Sequence, residues 1–332
     1  MAAIQRIDTH QHLFYPDRFA YDWAAGIPAF KDKAFTLDQY RAAAATCPLA
    51  GAVFMEVDVR EGQGDAESAF FSGLADDPAS GIIGVIAAAR PERDDFQAQL
   101  DRLAHPRLLG LRRVLHTQPD DLSTGAIFRR NVASLGRRGL TFDMCYLARQ
   151  LPLAARLADA APDTQLILDH CGVPDTAGDP AAWKASITDL ARRPNVTCKI
   201  SGIIAYGGPE RANAATLRPF VEHVIASFGW DRVVWGSDWP VCDLASSYAG
   251  WVAVLDEICR ASRRIIWPGC TSGTPGGFIS VKAQKSRPET RPACASGPGP
   301  AYFLLTRSAY SPVRVSMRMR SPMFTNMGTW IS

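Results

Sequence analysis

The sequence predicts a (β/α)8 barrel, or TIM barrel, in which eight parallel strands alternate with helices. Eight apolar segments rich in β-branched residues recur between residues 4 and 238, and a helix-like segment follows each one. Near-continuous apolar strands of this kind indicate a parallel sheet that is buried on both faces. Eight such units in about 260 residues match the size of a closed barrel, and a 332-residue chain that is 47% hydrophobic can fill its core.

Turn-forming pairs such as Cys47-Pro48 and Asp77-Pro78 separate the predicted elements. We expect strands over residues 4–9, 50–57, 82–89, 108–115, 140–146, 165–172, 196–202 and 232–238. We expect helices over residues 37–46, 66–75, 94–103, 127–138, 151–161, 180–193, 214–228 and 245–259. An open doubly wound sheet is the alternative. No Gly-x-Gly-x-x-Gly follows the first strand, so nothing supports dinucleotide binding.

Composition and termini predict a cytoplasmic protein. The first strand follows Met1 almost at once, which leaves no room for a signal peptide, and no apolar run reaches the ~20 residues of a membrane helix. The eight cysteines lack the Cys-x-x-Cys spacing of metal sites, and Cys145, Cys171 and Cys198 fall inside predicted strands. We expect buried free thiols in a reducing compartment. A homo-oligomer is compatible with the sequence.

The composition changes after residue 260. Residues 1–260 carry 26 Lys+Arg and 32 Asp+Glu, a net charge of −6. Residues 261–332 carry 10 Lys+Arg and a single acid, Glu289, a net charge of +9. This segment also holds eight prolines, seven glycines and ten serines, without sustained periodicity. We therefore assign the barrel to residues 1–260 and an irregular, basic tail to residues 261–332.

Three hypotheses account for the tail. It resembles out-of-frame translation of GC-rich coding DNA, through a frameshift near residues 260–264, and we favour this hypothesis. A genuine disordered tail would have the same composition. A functional basic arm would bind nucleic acid or an anionic membrane, but the charges are not clustered and no aromatic or helical pattern accompanies them. We therefore expect neither nucleic acid nor a membrane as a partner.

Two motifs, one in the first predicted strand and one in the last, point to a functional site. His10 and His12 lie in Asp-Thr-His-Gln-His at residues 8–12, and they project to the same side because strand side chains alternate. Such a pair chelates a divalent metal or donates jointly to an anion, although it is also common by chance. Asp238, in Gly-Ser-Asp-Trp-Pro at residues 236–240, ends the last strand, which faces the first strand once the sheet closes.

Other polar side chains also lie at strand ends, where barrels of this class carry their functional groups. They are Glu56, Arg112, Arg113, His116, Asp143, Tyr146, His170, Lys199 and Ser201. Each has a structural alternative. A strand-end arginine is more often solvated or salt-bridged than bound to substrate, a buried Glu56 would pair with an arginine, and His170 would be a core histidine.

Four motifs in order resemble the amidohydrolase superfamily. They are Asp-Thr-His-Gln-His at 8–12, Leu-Asp-His-Cys-Gly at 168–172, Cys-Lys-Ile-Ser-Gly at 198–202 and Gly-Ser-Asp-Trp-Pro-Val at 236–241. The resemblance covers roughly residues 4–260 and is greatest to the lactonase branch, which holds L-fuconolactonase-like and 2-pyrone-4,6-dicarboxylate lactonase-like enzymes. After residue 260 the expected last helix, with its Asn-Ala-x-Arg-x-Tyr-like ending, has no match.

The resemblance implies that His10 and His12 are metal ligands or carbonyl-polarising groups. His170 would lie beside them, and Asp238 would be the base that takes a proton from water, with Glu56 as a further candidate ligand. Opening a cyclic ester requires an activated water, an oxyanion-stabilising group and a proton donor for the alcohol. Three imidazoles and a carboxylate can hold Zn²⁺ with a position open for water.

The resemblance also bears on the number of metal ions. Binuclear members of the superfamily use a modified lysine at the end of strand 4, whereas the strand-end lysine of this chain is Lys199, on strand 7. We expect one divalent metal, zinc by preference. In this branch the metal is sometimes absent, and the histidines themselves polarise the carbonyl.

We expect a hydrolase that opens the lactone of a sugar acid, a small molecule. A pyrone dicarboxylate would call for several arginines in bidentate pairing, whereas a sugar presents hydroxyls. The first loop, residues 14–30, is rich in aromatic residues, which suit packing on a sugar ring. The candidate substrate contacts are Arg112, Arg113, His116, Tyr146 and Trp23.

Three alternatives remain open. A metal-dependent decarboxylase of a small unsaturated or aromatic acid uses the same set of histidines and aspartate in related barrels, and it would release carbon dioxide. An inactive chain damaged by the frameshift would keep its motifs only by descent, and resequencing the codons for residues 255–270 tests this. A nucleic-acid-binding protein would show salt-sensitive binding that is lost on deletion of residues 261–332.

Limited proteolysis is expected to remove most of residues 265–332 before it cuts the barrel, because this segment lacks the periodic apolar residues that would anchor it. Mass spectrometry of the fragments over time locates the cuts. The protein should also be poorly soluble, and a family-like final helix should restore its solubility. A tail that resists protease as long as the barrel does would contradict the assignment.

Overall fold

Eight parallel strands pair with one another in chain order, which confirms the predicted (β/α)8 barrel. The structure, a computed structural model, describes residues 6–47 and 49–266, with side chains up to residue 260. The strands are β1 (Arg6–Gln11), β2 (Leu49–Met55), β3 (Ile82–Ala88), β4 (Leu108–Val114), β5 (Thr141–Cys145), β6 (Leu166–Leu168), β7 (Val196–Ile200) and β8 (Val233–Trp235). The helices are α1 (Leu37–Ala44), α2 (Gly64–Asp76), α3 (Phe96–Arg102), α4 (Ala126–Ser134), α5 (Leu151–Ala160), α6 (Ala181–Leu190), α7 (Ile203–Tyr206), α8 (Ala214–Phe228) and α9 (Tyr248–Ile266).

Alternate residues of a strand pack in two different apolar regions. Phe54 of β2 stacks on Phe71 of α2, with ring centroids 3.5 Å apart, in the large layer between the strands and the helices. Its neighbours Val53 and Met55 pack instead with Ile86 of β3, in a separate cluster. This alternation follows from the two-residue period of a strand. Consecutive residues at a strand end therefore face either the barrel interior or the helices.

Hydrogen bonds between the end of β1 and the residues that follow β8 close the barrel. The backbone N–H of Asp238 donates to the carbonyl of His10 (2.8 Å), and the N–H of His12 donates to the carbonyl of Trp239 (2.8 Å). We call this junction the β1–β8 seam. Because His10, His12 and Asp238 all belong to it, closing the barrel also brings these three residues together.

Asp8 stabilises the β1–β8 seam from within the core. Its fully buried carboxylate accepts hydrogen bonds from the backbone N–H of Ser237 (2.8 Å) and from the hydroxyls of Tyr40 (2.9 Å) and Tyr248 (3.4 Å). Burial raises the pKa of Asp8, whereas the hydrogen bonds from Ser237 and Tyr40 lower it. One carboxylate thus ties β1 to the segment after β8, to α1 and to α9.

Helix α9 covers the seam. The indole N–H of the fully buried Trp251 donates to the carbonyl of Gly236 (3.2 Å), and Arg6 of β1 forms an ion pair with Asp256 (2.7 Å). The helix extends to Ile266, seven residues beyond the predicted end at residue 259. Its backbone therefore includes the first residues of the predicted tail, and the rest of that tail, residues 267–332, lies outside the described residues.

The structure shortens several of the predicted strands at their ends, by two residues in β2 and β7 and by more in β6 and β8. β6 ends at Leu168 and not at residue 172, and β8 ends at Trp235 and not at residue 238. The cause is local backbone conformation: His170, Cys171 and Asp238 have positive φ angles of 54°, 56° and 55°, which a strand does not accommodate. The one-turn helix α7 was not predicted. All these departures lie at the C-terminal end of the barrel, where the site forms.

The three cysteines predicted inside strands, Cys145, Cys171 and Cys198, are buried free thiols, as expected. Cys47, Cys242 and Cys259 are also buried and free. None of the helices within residues 6–47 and 49–266 combines the length and apolar character that a membrane crossing requires.

Candidate active site

Three side chains converge where the β1–β8 seam reaches the C-terminal end of the barrel. His10 Nε2 lies 3.1 Å from His12 Nε2, and Asp238 Oδ1 lies 3.4 Å from the former and 3.3 Å from the latter. His10 is fully buried, and His12 and Asp238 are 6% and 1% exposed. The His-x-His motif thus presents both imidazoles to one side, as strand alternation predicts. We call these three atoms the donor triangle.

The donor triangle has the dimensions of a metal-binding face. Ligand atoms that surround a tetrahedral zinc ion at about 2.0–2.1 Å lie about 3.3 Å from one another. The edges of the triangle, between 3.1 and 3.4 Å, match this spacing. Imidazole nitrogens and carboxylate oxygens are both common ligands of divalent metals. The residues present therefore fit a divalent metal ion.

Groups behind the triangle orient its two histidines. His12 Nδ1 lies 3.0 Å from the carbonyl oxygen of Met55, so this nitrogen carries a proton and donates it, which leaves Nε2 as the ligand atom. His10 Nδ1 faces Asp169 Oδ1 at 3.5 Å and Lys199 Nζ at 3.3 Å. Burial lowers the pKa of His10 well below its usual value, and Lys199 lowers it further, whereas Asp169 raises it. His10 is therefore neutral, the form that binds a metal.

His170 lies beside the triangle, in the turn after β6. Its ring centroid is 4.7 Å from that of His10, and its Nδ1 lies 2.9 Å from the Ser201 hydroxyl and 3.9 Å from Asp238 Oδ2. Ligand atoms of His10, His170 and Asp238 all lie within 4.8 Å of one another. The structure thus brings together the four residues predicted to be catalytic, with His170 farther from the centre than His12.

The two oxygens of Asp238 have different surroundings. Oδ1 belongs to the donor triangle, whereas Oδ2 has no hydrogen-bond partner among the residues that the structure describes. Burial alone would raise the pKa of Asp238, but the imidazoles of His170, His12 and His10 lower it to about 2. The carboxylate is therefore ionised at neutral pH. Its left-handed backbone conformation costs about 1–3 kcal/mol, which is typical of a residue held in place for function.

A buried charge cluster forms the floor of the site. Lys199 Nζ donates to Asp143 and lies 3.0 Å from Asp169 Oδ1, and all three side chains are buried. Burial alone would lower the pKa of Lys199, but the two carboxylates raise it, so the ammonium stays charged. Burial would raise the pKa of Asp169, but Lys199 and His10 lower it well below its usual value. Sequence reasoning noted these residues without assigning them a role, although charges inside apolar strands are a recognisable signal.

Arg112 borders the donor triangle, and it is held there by Glu56. Arg112 Nη2 donates to the backbone carbonyl of Glu56 (2.6 Å), and Nε donates to its carboxylate. Arg112 Nη1 lies 3.5 Å from His10 Nε2 and 3.9 Å from Asp169 Oδ2. Glu56 thus pairs with an arginine, which was the structural alternative for this residue. Its carboxylate contacts Arg112 and does not belong to the donor triangle.

Two of the predicted substrate contacts face away from the donor triangle. Arg113 follows Arg112 on β4 and so points to the opposite side, where its guanidinium pairs with Glu92 at 2.9 Å. Tyr146 is buried. Burial raises the pKa of its hydroxyl, whereas the side chain of Ser123 lowers it. The sequence indicated that both residues lie at strand ends, but not which way their side chains point.

The other two predicted contacts, His116 and Trp23, are partly exposed. His116 Nδ1 lies 3.0 Å from the Cys145 sulfur, and burial, with the charges of His170 and Arg112, lowers the pKa of His116 to about 4. Trp23, in the loop after β1, is 37% exposed, and its indole N–H donates to the carbonyl of Val57 at 2.8 Å. A neutral imidazole and an exposed aromatic face are both available there.

Sequence reasoning missed Tyr206, at the end of α7. Its ring meets that of His170 edge to face, with centroids 5.8 Å apart. Burial raises the pKa of the Tyr206 hydroxyl well above its usual value, and the nearby Asp238 and Asp169 raise it further. The residue as a whole is 44% exposed, so part of it reaches solvent. A tyrosine six residues beyond a strand gave no signal in the sequence alone.

A second group of potential ligands, Cys145, Asp169 and His170, also lies within 4.8 Å. Asp169 is already bound to Lys199 at 3.0 Å, and burial raises the pKa of Cys145, which keeps its thiol protonated. The cation of Lys199 disfavours a metal ion at this position. The donor triangle is therefore the better metal site.

Comparison with known proteins agrees with this geometry. The chain matches the amidohydrolase family over residues 7–261. An L-fucono-1,5-lactonase of Burkholderia multivorans is 31% identical over 289 residues, which cover 80% of this chain and 93% of that protein. The chain therefore belongs to the amidohydrolase family and is a hydrolase. Within the family it falls in the lactonase branch, as the motifs predicted.

Solved structures show the same fold. The crystal structure of an amidohydrolase from Burkholderia multivorans with bound zinc superposes with a TM-score of 0.70 at 27% identity, over 80% of this chain and 96% of that one. A putative 2-pyrone-4,6-dicarboxylic acid hydrolase from Pseudomonas putida gives a TM-score of 0.60 at 22% identity, over 77% and 91% of the two chains. The latter similarity supports the fold alone.

The purified protein is expected to hold at most one equivalent of a divalent metal per chain, because the described residues form one donor triangle and cations flank it. Elemental analysis measures the occupancy. His12→Ala removes one vertex and should lower occupancy, whereas His116→Ala, which removes an imidazole outside the triangle, should leave it unchanged. Two tightly bound equivalents per chain, or full occupancy in His12→Ala, would contradict this site.

Proposed function

We propose that this hydrolase opens the lactone of a sugar acid by attack of an activated water on the ester carbonyl. The donor triangle carries the proposal, because it places a carboxylate with one unpartnered oxygen beside two imidazole nitrogens. The similarity to an L-fucono-1,5-lactonase supports the choice of a lactone. The alternative decarboxylase has no comparable support.

Asp238 acts as the general base. Oδ1 stays with the histidines, and the unpartnered Oδ2 accepts a proton from the attacking water. Once the water oxygen has bonded to the carbonyl carbon, the ester C–O bond breaks and protonated Asp238 returns its proton to the departing alkoxide. His170, 3.9 Å from Oδ2, favours the ionised carboxylate before the first transfer and after the second.

One side chain stabilises negative charge on the carbonyl oxygen, and a bound metal ion would do the same. Arg112 is a buried cation, and its Nη1 points toward His10 and not toward Glu56, so it adds positive potential at the triangle. A divalent metal held by His10, His12 and Asp238 would polarise the carbonyl and acidify water. Zinc is the ion we propose, because two imidazoles and a carboxylate suit it and a similar amidohydrolase structure contains it.

The arginines at the end of β4 and after β5 favour a neutral sugar lactone over a dicarboxylate. Arg112 is paired with Glu56, Arg113 with Glu92, and the Arg149 guanidinium with Asp120. Each of these three guanidiniums therefore has a carboxylate partner already. The exposed Trp23 instead offers an apolar face on which a sugar ring can pack.

A panel of lactones tests the substrate. L-Fucono-1,5-lactone and related aldonolactones are expected to be hydrolysed with kcat/KM at least tenfold above that for 2-pyrone-4,6-dicarboxylate, because the latter's two carboxylates meet paired arginines. Release of acid is followed with a pH indicator, and carbon dioxide is measured in parallel. Faster turnover of the dicarboxylate would exclude the sugar lactone, and carbon dioxide release would exclude a lactonase.

Asp238→Asn is expected to lower kcat by ~10²–10⁴, the usual contribution of a general base, while substrate binding and the thermal midpoint change little. Asparagine is nearly isosteric and keeps a metal-capable oxygen, but it cannot accept the proton. Asp243→Asn, an exposed carboxylate in the same loop, is the matched control and should retain activity. A purely structural role for Asp238 would show the reverse: a lower midpoint with activity falling only in proportion.

A further inference from the structure

Helix α7 begins in contact with the catalytic residues. Gly202, which precedes it, has a φ of 63°, and a Cβ at this position would lie 2.6 Å from His170 Nδ1 and 2.8 Å from Asp238 Oδ2. Only a residue without a side chain lets the backbone approach this closely. Ile203 and Ile204 are buried at 0% and 1% exposure and anchor the turn in the core. The position of the next residues is therefore fixed relative to the site.

Tyr206 ends this anchored turn and extends over His170. The two rings meet at an angle of 73°, with centroids 5.8 Å apart. The Tyr206 hydroxyl interacts electrostatically with Asp238, Asp169 and Arg112. Since the residue is also 44% exposed, it lies on the boundary between the charged interior of the site and the solvent.

The hydroxyls of three other tyrosines have hydrogen-bond partners, whereas that of Tyr206, like that of the buried Tyr146, has none among the described residues. The hydroxyls of Tyr40 and Tyr248 donate to Asp8, and that of Tyr21 accepts the backbone N–H of Tyr15. No residue in the described part of the chain forms a hydrogen bond with the Tyr206 hydroxyl. It is therefore a donor that is held at the site and available to a ligand.

We infer that Tyr206 contacts the substrate and that its phenol donates a hydrogen bond to an ester oxygen of the bound lactone. The inference rests on the proposed function and adds a residue to it. Both ester oxygens gain negative charge as the tetrahedral species forms and the C–O bond breaks. A donor placed there strengthens its hydrogen bond in the transition state, so it contributes to kcat as well as to binding.

A packing role is the alternative, in which the ring only shields His170 from water. Tyr206→Phe separates the two roles, because it keeps the ring and removes only the hydroxyl. A substrate-contacting phenol predicts a fall in kcat/KM of about 10- to 100-fold, most of it in kcat, with an unchanged thermal midpoint. A packing role predicts full activity in Tyr206→Phe and a loss only in Tyr206→Ala.

The test measures kcat and KM for the best lactone of the panel. It also measures, by calorimetry, the affinity for the hydroxy acid that is the product. Tyr21→Phe is the control, because it removes a phenol oxygen whose partner is the backbone of Tyr15, and it should keep kcat/KM within twofold. If Tyr206→Phe matches the parent in kcat/KM and in product affinity, the inference is overturned while the lactonase stands. A parent that hydrolyses no lactone would overturn both.

Discussion

The pairing of the first strand with the residues after the last one determines most of what this protein can do. In this barrel, the backbone hydrogen bond from the N–H of Asp238 to the carbonyl of His10 is one of the bonds that close the sheet. The carboxylate of Asp8 stabilises that junction, because it accepts hydrogen bonds from the backbone N–H groups of His10 and Ser237. The metal-binding geometry is therefore a property of the closed sheet and not of two loops that happen to meet. Side chains on such a rigid frame keep their spacing without a bound ion.

The second constraint is the electrostatic balance beneath the donor triangle. Arg112 and Lys199 put two cations into a buried region, and Glu56, Asp143 and Asp169 neutralise them. Apolar residues of similar volume would generally stabilise the fold at least as well. What these charges provide is a fixed field: together with burial, the charge of Lys199 lowers the pKa of His10 and keeps it neutral, whereas the neighbouring imidazoles keep Asp238 ionised. Oriented charges of this kind need no rearrangement when charge develops on a substrate.

Much of this was accessible from the sequence, and the limits have physical causes. Apolar strands and the His-x-His pattern depend on local periodicity, so the barrel and the convergence of His10 with His12 could be predicted. The side to which Arg112 and Arg113 point depends on exact register, and a one-residue uncertainty exchanges the two. The left-handed backbone at His170 is imposed by tertiary contacts, so the predicted strand ran too far. Tyr206 acquires its position only through the packing of a turn that no local pattern marks.

The β1–β8 seam also determines when the protein becomes active. Ser237 lies 229 residues from the Asp8 carboxylate that binds it, so nearly the whole barrel must be synthesised before the junction can form. Until then β1 has an unpaired edge, which is a surface prone to pairing with other chains. Contacts at such a sequence separation also form slowly, because most of the chain must be ordered first. The appearance of metal binding during synthesis or refolding would therefore report completion of the fold, and the catalytic centre would be the last part of the molecule to exist.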